Sequence, residues 1–194
     1  MPAFESAFEA IDKSVQQIFV RWKIYGQLFD TGEENIALLN SSGSYVFFLL
    51  QRLLLDDTIL ALSRLTDPPT TAGRENASIK YLVQAALTTL APEVAGEVNA
   101  SLAELEVHVA NARVHRNKAV AHADLQHAVG KAALPDISYA ELEGAMTALT
   151  NLMLRLGSSS IRRVGGYQPI IAFGTDGTTL LAKLRKAAAA MAEG

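Results

Sequence analysis

Apolar residues recur at helical spacing through the first part of the chain. Between residues 3 and 29 they stand three or four positions apart, at Phe4, Phe8, Ile11, Val15, Ile18, Phe19 and Trp22. This spacing places them on one face of an α-helix, so the pattern predicts an amphipathic helix over 3–29. The sequence Asp30-Thr31-Gly32 is typical of a stop and turn. Glu33 and Glu34 suit the first turn of a following helix, because the helix dipole is positive there.

The next apolar segment predicts a long, interrupted helix. The weak helix formers Ser41-Ser42-Gly43-Ser44 favour a kink, after which the helix resumes over 45–65 and ends before Asp67-Pro68-Pro69. Apolar residues nearly circle the axis of the second half, so we expect a central helix that is buried on more than one side.

The rest of the chain predicts shorter helices separated by loops. Residues 67–76 contain proline and glycine with few apolar anchors, which indicates a flexible loop. Helices are predicted over 78–90, from Pro92 to about 122, over 138–156 and over 178–190. The helix over 138–156 opens with Ser138-Tyr139-Ala140-Glu141, a capping-box pattern. A break is expected at 157–160, and β-branched residues within 161–173 favour a short β-hairpin.

These elements define an all-α fold class, a helical bundle followed by a short C-terminal β-hairpin and a final helix. A chain of 194 residues is long enough for one sizeable core. We therefore expect a single domain over 1–194, with its core at about 3–157 and a C-terminal extension at 158–194. Hydrophobic residues make up 49% and charged residues 19%, which is typical of a globular protein.

Composition narrows the chemistry that the chain can perform. The absence of cysteine excludes disulfides, thiolate metal sites and a cysteine nucleophile. His108 and His115 stand seven apart without a carboxylate at matching spacing, and Gly174-Thr175-Asp176-Gly177 lacks the flanks of a phosphate-binding loop. We therefore expect neither a metal nor a cofactor.

The expected location of the protein is the cytoplasm. The N-terminal segment is acidic and lacks the basic region and continuous apolar run of a secretory signal. The most apolar segment, 45–65, is interrupted by charges that are costly at the depth of a bilayer, so no contact with a membrane is expected.

Charge is distributed unevenly along the chain. Residues 1–107 carry 7 basic and 14 acidic side chains, whereas residues 108–194 carry 10 and 6. The overall net charge of −3 argues against nonspecific coating of nucleic acid. The positive half would favour a phosphate ligand locally, although a dimer interface of complementary charge explains the asymmetry equally well.

The positive half contains a cluster of polar residues within an otherwise apolar helix. Arg116, Asn117 and His122 stand within seven residues, and Arg113 comes about one turn earlier. Buried polar groups cost free energy unless each finds a partner, so a helix built only for packing has little use for this set. Exposure to solvent, or a bond to a local carbonyl, is the simpler alternative. On a regular helix Arg116 and His122 lie about 120° apart, a gap that a bend near Ala121 or a second copy across a two-fold axis would close.

Acidic residues of the second helix are candidate partners for this cluster. One interpretation is that Asp56 or Asp57 supports Arg116. An exposed acidic notch, or an ordinary salt bridge, is the simpler alternative for either residue.

Several segments together resemble one known family. The first is the motif itself, Arg116-Asn117, four residues and His122, followed by Asp124. The others lie at 22–29, 38–40 and 60–68. They resemble the HEPN superfamily, small all-helical domains whose active members are metal-independent RNases, and in particular its phage abortive-infection-like branch. The resemblance covers most of residues 10–156 and implies an up-and-down helical core, RNA as the substrate and a homodimer.

The resemblance also implies roles for the motif residues. Cleavage of RNA without a metal needs a base for the 2′-hydroxyl, a cation for the phosphorane charge and an acid for the leaving 5′-oxygen. His122, whose ordinary pKa is about 6.5, suits the base or the acid. Arg116 suits the cation, and Asn117 suits orientation of His122 or contact with the substrate. These three are the predicted catalytic residues, and the predicted substrate-binding residues are Arg113, Lys118 and Asp124.

Partners and alternatives complete the prediction. In the family, active RNases bring two motifs together across a dimer, and some carry a tyrosine two residues after the histidine that a nucleotidyltransferase-type antitoxin modifies. Asp124 stands at that position, which puts this modification in doubt and leaves Asp124 to bond His122 or to cap the helix. The leading hypothesis is a HEPN endoribonuclease acting as a toxin or in phage defence. A non-catalytic HEPN domain that binds nucleotide or RNA, and a structural dimer with the motif as a polar knot, stay open.

Overall fold

The computed structural model describes residues 2–120, 124–125, 129–160, 166–167 and 169–192, with the side chains of 2–3 and 158–160 left aside. These residues form, in chain order, α1 (Pro2–Phe29), α2 (Glu33–Leu65), β1 (Thr70–Thr71), β2 (Arg74–Glu75), α3 (Ile79–Ala86), α4 (Pro92–His115), a π-helix (Arg116–Val120), α5 (Tyr139–Ser160) and α6 (Gly177–Ala192). The all-α prediction is confirmed. The C-terminal hairpin is not seen in residues 166–167 and 169–173, which form no strand, and the rest of its predicted span lies outside the described residues.

Residues 67–76 contain a short β-hairpin where the sequence predicts a loop, and the predicted mobility of this segment stays a prediction. β1 and β2 pair antiparallel, and the turn between them has positive φ at Ala72 and Gly73. Asn76 fastens the base of the hairpin, because its side-chain amide donates to the carbonyl of Pro68 at 2.7 Å and its backbone N–H donates to that of Pro69 at 2.8 Å. Turn chemistry and one amide side chain therefore order a segment that has few apolar residues.

α2 has the predicted kink but not the predicted burial. Gly43 interrupts the helix with a non-helical backbone (φ 161°, ψ 68°). Between residues 45 and 53, however, Tyr45, Val46, Phe48 and Leu53 each expose more than half of their surface. The expectation of burial on several sides is therefore wrong for residues 45–53 and holds only for the last turns of the helix, where Ile59 and Leu62 are buried. Apolar periodicity predicts an apolar helix face, but it does not predict whether that face packs against the same chain or against another molecule.

The contacts of the chain group into two compact units, and the first holds most of the core. It consists of Met1–Gln16 and Ile59–Tyr167. Fully buried residues of α1, α3, α4 and α5 build its interior, including Phe8, Leu82, Leu105 and Leu149. Each such side chain contributes about 1.5–3 kcal/mol by leaving water. Asp12 is also buried in this unit, where it accepts a hydrogen bond from the hydroxyl of Tyr167.

The second unit consists of Gln17–Thr58 and Gln168–Gly194. Its core is the buried cluster Leu28, Leu39 and Leu181. Gln27 fastens the start of α6 to α1, because its amide donates to Asp176 at 3.0 Å and its carbonyl accepts from the backbone N–H of Gly177 at 3.0 Å. The single-domain expectation stays a prediction, since α1 and α2 each contribute residues to both units.

The start of α5 has the capping box that the sequence predicts. The Ser138 hydroxyl accepts from the N–H of Glu141 at 3.1 Å, and the Glu141 carboxylate accepts from the N–H of Ser138 at 2.8 Å. These bonds to Ser138, its backbone N–H first, lower the pKa of Glu141, as does one from Asn111. The helix continues to Ser160, so the predicted break at 157–160 is wrong. Gly157 is buried there, and the packing of this turn offsets the weak helix propensity of glycine.

We expect the capping box to make stability depend on pH. The folded pKa of Glu141 lies below its ordinary value of 4.5, so its contribution is present above pH 4.5 and is lost as the pH falls through the folded pKa. Glu141→Gln should therefore lower the Tm at pH 7, and the difference from the native protein should shrink at acidic pH. Glu104→Gln, at an exposed position of α4, is the control. A difference in Tm that is the same at both pH values would contradict the assignment.

Candidate functional site

The motif lies where α4 changes into a π-helix. Arg113 and His115 occupy the last turn of α4, and Arg116, Asn117 and Lys118 begin the π-helix. A π-helix has a wider turn than an α-helix and occurs frequently at functional sites. The regular-helix angle of about 120° between Arg116 and His122 therefore does not apply to this segment.

Arg116 forms a two-pronged ion pair with Asp67, which follows the C-terminal end of α2. Its Nη1 atom donates to Oδ1 at 3.1 Å and its Nη2 atom donates to Oδ2 at 3.2 Å. The pair is partly buried, with 26% of the Arg116 side chain and 19% of the Asp67 side chain exposed. Parallel bonds of this kind fix the plane of the guanidinium as well as its position.

The structure corrects the interpretation that Asp56 or Asp57 supports Arg116. Asp57 pairs with Arg21 at 3.0 Å, and Asp56 pairs with Arg52, four residues before it on the same helix, at 3.8 Å. The ordinary salt bridge, which was the simpler alternative, is what the structure contains for both.

Arg113 is anchored to the end of α2. Its Nη1 atom donates to the carbonyl of Thr66 at 2.7 Å, to the Thr66 hydroxyl at 2.9 Å and, at 3.4 Å, to the carbonyl of Ser63. Its Nη2 atom also lies 3.5 Å from Asp67. A cation at a helix C-terminus satisfies carbonyls that lack partners within the helix and opposes the negative end of the dipole. Arg113 therefore joins the end of α4 to the end of α2, and its role in binding substrate stays a prediction.

The other predicted site residues are placed less fully. Asn117 and Lys118 are exposed on the π-helix. Asp124 is half-buried, and its backbone N–H donates to the carbonyl of Lys118 at 3.0 Å. His122, the predicted base or acid, lies outside the described residues. The structure thus brings Arg113 and Arg116 together and does not test the catalytic role of His122.

His108 and His115, which lie outside the motif, have structural surroundings. Nε2 of His115 pairs with the carbonyl of Pro135 and must donate, since a carbonyl only accepts. The ring of His108 lies against Gly144, where an added Cβ would be 2.5 Å from Nδ1. Across the described ranges, no group of three or more histidine and carboxylate side chains is placed to hold a metal ion.

Asp67 is the site residue that the sequence analysis missed. The sequence around Asp67 indicates only the end of a helix before Pro68-Pro69, because the partners of Asp67, Arg113 and Arg116, are 46 and 49 residues away along the chain. The available signal was its position: an acidic residue just after a helix that otherwise ends in a cation, Arg64, and within one of the segments that resemble the family.

The described residues form a helical domain in which Arg113 and Arg116 both contact Asp67 where the π-helix begins. Comparison with protein families identifies the class of this domain. Residues 1–173 match the family model of a HEPN domain. The resemblance to HEPN proteins is thereby confirmed. The family is the one described as AbiU2, and the chain belongs to it. No curated protein and no solved structure matches the chain. None of the helices in the described part is long and apolar enough to cross a membrane.

We expect Arg113 to be needed for stability. Arg113→Met should lower the free energy of unfolding by about 2 kcal/mol, because the buried Thr66 loses a charged donor. The control is Arg155→Met, which removes a more exposed ion pair with Glu97 and should cost less than about 1 kcal/mol. Urea denaturation of both variants measures the difference. If both variants lose the same free energy of unfolding, the contact of Arg113 with α2 contributes no more to stability than an exposed ion pair.

Proposed function

We propose that this protein is a metal-independent endoribonuclease of the HEPN type that cleaves single-stranded RNA. The observation that supports the proposal best is the state of Arg116. Its guanidinium is held in a fixed plane by Asp67, about a quarter of its side chain is exposed, and the exposed residues Asn117 and Lys118 follow it in the chain. Membership of the AbiU2 family supports the same class of function.

The proposed reaction is an internal transfer at phosphorus. A base removes the proton of the 2′-hydroxyl, the 2′-oxygen bonds to phosphorus, and the bond to the 5′-oxygen breaks as that oxygen takes a proton from an acid. The products carry 2′,3′-cyclic phosphate and 5′-hydroxyl ends. Arg116 stabilises the charge that develops on the phosphorane oxygens. His122 acts as the base or the acid, Asn117 orients it or binds the substrate, and Arg113, Lys118 and Asp124 border the substrate.

The proposed biological role is that of a toxin, in a toxin–antitoxin pair or in phage defence. The abortive-infection character of the family supports this role. An antitoxin is then the expected partner and the cytoplasm the expected location. An antitoxin that modifies tyrosine has no matching target at Asp124, so we do not propose this mode of inhibition.

We further propose that the protein acts as a homodimer, in which the second histidine supplies the complementary acid. The exposed stripe on α2, formed by Tyr45, Phe48, Leu49 and Leu53, supports association with a second copy. Tyr45 stands three and four residues before Phe48 and Leu49, and Leu53 stands four residues after Leu49, so the four side chains share one face of the helix. Exposed apolar patches of several hundred square ångströms typically mark interfaces. If two copies of α2 pair antiparallel with the two Leu49 residues at the centre, Tyr45 of one copy lies opposite Leu53 of the other. In this arrangement the two Arg52 side chains do not lie opposite each other.

Two alternatives predict different behaviour. A HEPN domain that binds nucleotide or RNA without cleaving it would use the same exposed groups. A purely structural role for the motif is favoured by one observation, the three contacts of Arg113 Nη1 with the end of α2. Stability distinguishes the second alternative, because a structural role requires Arg116→Ala and His122→Ala each to cost several kcal/mol.

The cleavage test uses purified protein with a chelator of divalent metals and a mixed-sequence single-stranded RNA. The native protein should yield 2′,3′-cyclic phosphate ends. His122→Ala should lower the rate by about 100-fold or more, the range expected when a general acid or base is removed. Arg116→Ala should lose cleavage as well.

The control for the cleavage test is Arg155→Ala, which removes a cation from the same unit at an exposed ion pair. It should cleave at the native rate. No cleavage by the native protein, together with retained RNA binding, would select the non-catalytic alternative. Equal cleavage by the native protein and His122→Ala would contradict the catalytic role proposed for His122, and equal cleavage by Arg116→Ala as well would assign the activity to a contaminant.

The dimer is tested by the mass of the protein in solution. Phe48→Glu should shift the native dimer to a monomer in light scattering after gel filtration, because it puts a charge into the apolar stripe. Val107→Glu is a matched control, since Val107 is an isolated exposed residue of α4 with 75% of its surface accessible. A native protein that is monomeric, or a Phe48→Glu protein that stays dimeric, would overturn the assignment of this surface.

A further inference from the structure

Asp67 is the acidic side chain on which two arginines of the motif converge. It pairs with both terminal nitrogens of Arg116 and lies 3.5 Å from Nη2 of Arg113. Only 19% of its side chain is exposed. One carboxylate therefore stands between two guanidinium groups, and the three side chains together carry a net charge of +1.

The backbone around Asp67 is fixed on both sides. Its own N–H donates to the carbonyl of Arg64 at 3.2 Å, and the preceding carbonyl, that of Thr66, accepts from Arg113. The residue after it, Pro68, is bonded to Asn76 at the base of the β1–β2 hairpin. Because the backbone of Asp67 is held in place, its carboxylate can fix the position of the Arg116 guanidinium.

The pair leaves Arg116 able to bind a phosphate. A guanidinium has five N–H donors, and an end-on pair with a carboxylate uses one from each terminal nitrogen. The remaining edge, with Nε, has the spacing that matches two phosphate oxygens. A free arginine side chain carries about 2 kcal/mol of rotamer entropy, and the pair with Asp67 removes much of this freedom before substrate arrives.

We propose that Asp67 is a positioning residue, which holds Arg116 in the orientation that receives the scissile phosphate. The inference rests on the proposed function for the identity of the substrate. The opposing interpretation is that Asp67 is an internal anion that occupies Arg116 and competes with RNA. The two interpretations predict different effects of removing the Asp67 charge. If Asp67 positions Arg116, kcat falls; if Asp67 competes with RNA, the affinity for RNA rises.

The experiment compares Asp67→Asn and Asp67→Glu with the native protein. The Asn variant keeps the shape and one acceptor but loses the charge, so kcat on single-stranded RNA should fall about 10- to 100-fold, the loss expected when a catalytic group is misplaced. KM should change much less. The Glu variant keeps the charge on a longer side chain and should recover part of kcat. Glu97→Gln, which removes the acid of the Arg155 pair in the same unit, should leave both constants unchanged.

Thermal melts and binding of a non-cleavable 2′-deoxy oligonucleotide complete the test. If Asp67→Asn binds this oligonucleotide more tightly or raises kcat, the carboxylate is a competitor and the inference is wrong. If kcat of both variants falls only as far as the folded fraction falls, the role is structural and the inference is again wrong. If the native protein binds the oligonucleotide without cleaving RNA, the proposed function fails, and weaker binding by Asp67→Asn would still support positioning of Arg116. Absence of both binding and cleavage would overturn both proposals.

Discussion

The ion-pair cluster of Asp67, Arg113 and Arg116 joins the C-terminal end of α2 to the C-terminal end of α4, and the candidate site depends on it. α2 ends there, and its end presents carbonyl groups without partners in its own helix, whereas α4 continues into the π-helix. Arg113 supplies donors to the carbonyls at the end of α2, while Asp67 neutralises one of the two positive charges that the arginines bring. Without this cluster, nothing in the described contacts would fix the direction of Arg116 where the π-helix begins.

Two arginines only three residues apart have different surroundings, and the difference bears on function. Nη1 of Arg113 bonds to two backbone carbonyls and a hydroxyl, so the donors of this nitrogen are committed to the fold. Arg116 bonds to a carboxylate through one edge. A polar knot that served stability alone would gain little from the second arginine, because a buried ion pair is often no better than apolar packing. The structural explanation therefore suits Arg113 better than Arg116.

Local signals in the sequence predicted local structure well. The capping box of Ser138 and Glu141, the kink at Gly43 and the helix start at Pro92 each depend on residues within a few positions of one another. The hairpin at 70–75 was missed because its order comes from a turn and from Asn76 rather than from apolar residues. The partner of Arg116 was missed for a different reason. Asp67 lies 49 residues away, and the spacing of charges along a chain carries no information about contacts at that range.

The burial of α2 shows a further limit of reasoning from periodicity. The apolar residues of 45–65 were correctly assigned to a helix, yet the stripe from Tyr45 to Leu53 faces outward. Apolar surface is stabilised by burial, and packing against a second molecule buries it as effectively as packing against a neighbouring helix. The same reasoning applies to charge: the chain as a whole is acidic, but a substrate responds to the local balance. Two arginines, one aspartate and the exposed Lys118 give that part of the surface a positive character that the net charge of −3 conceals.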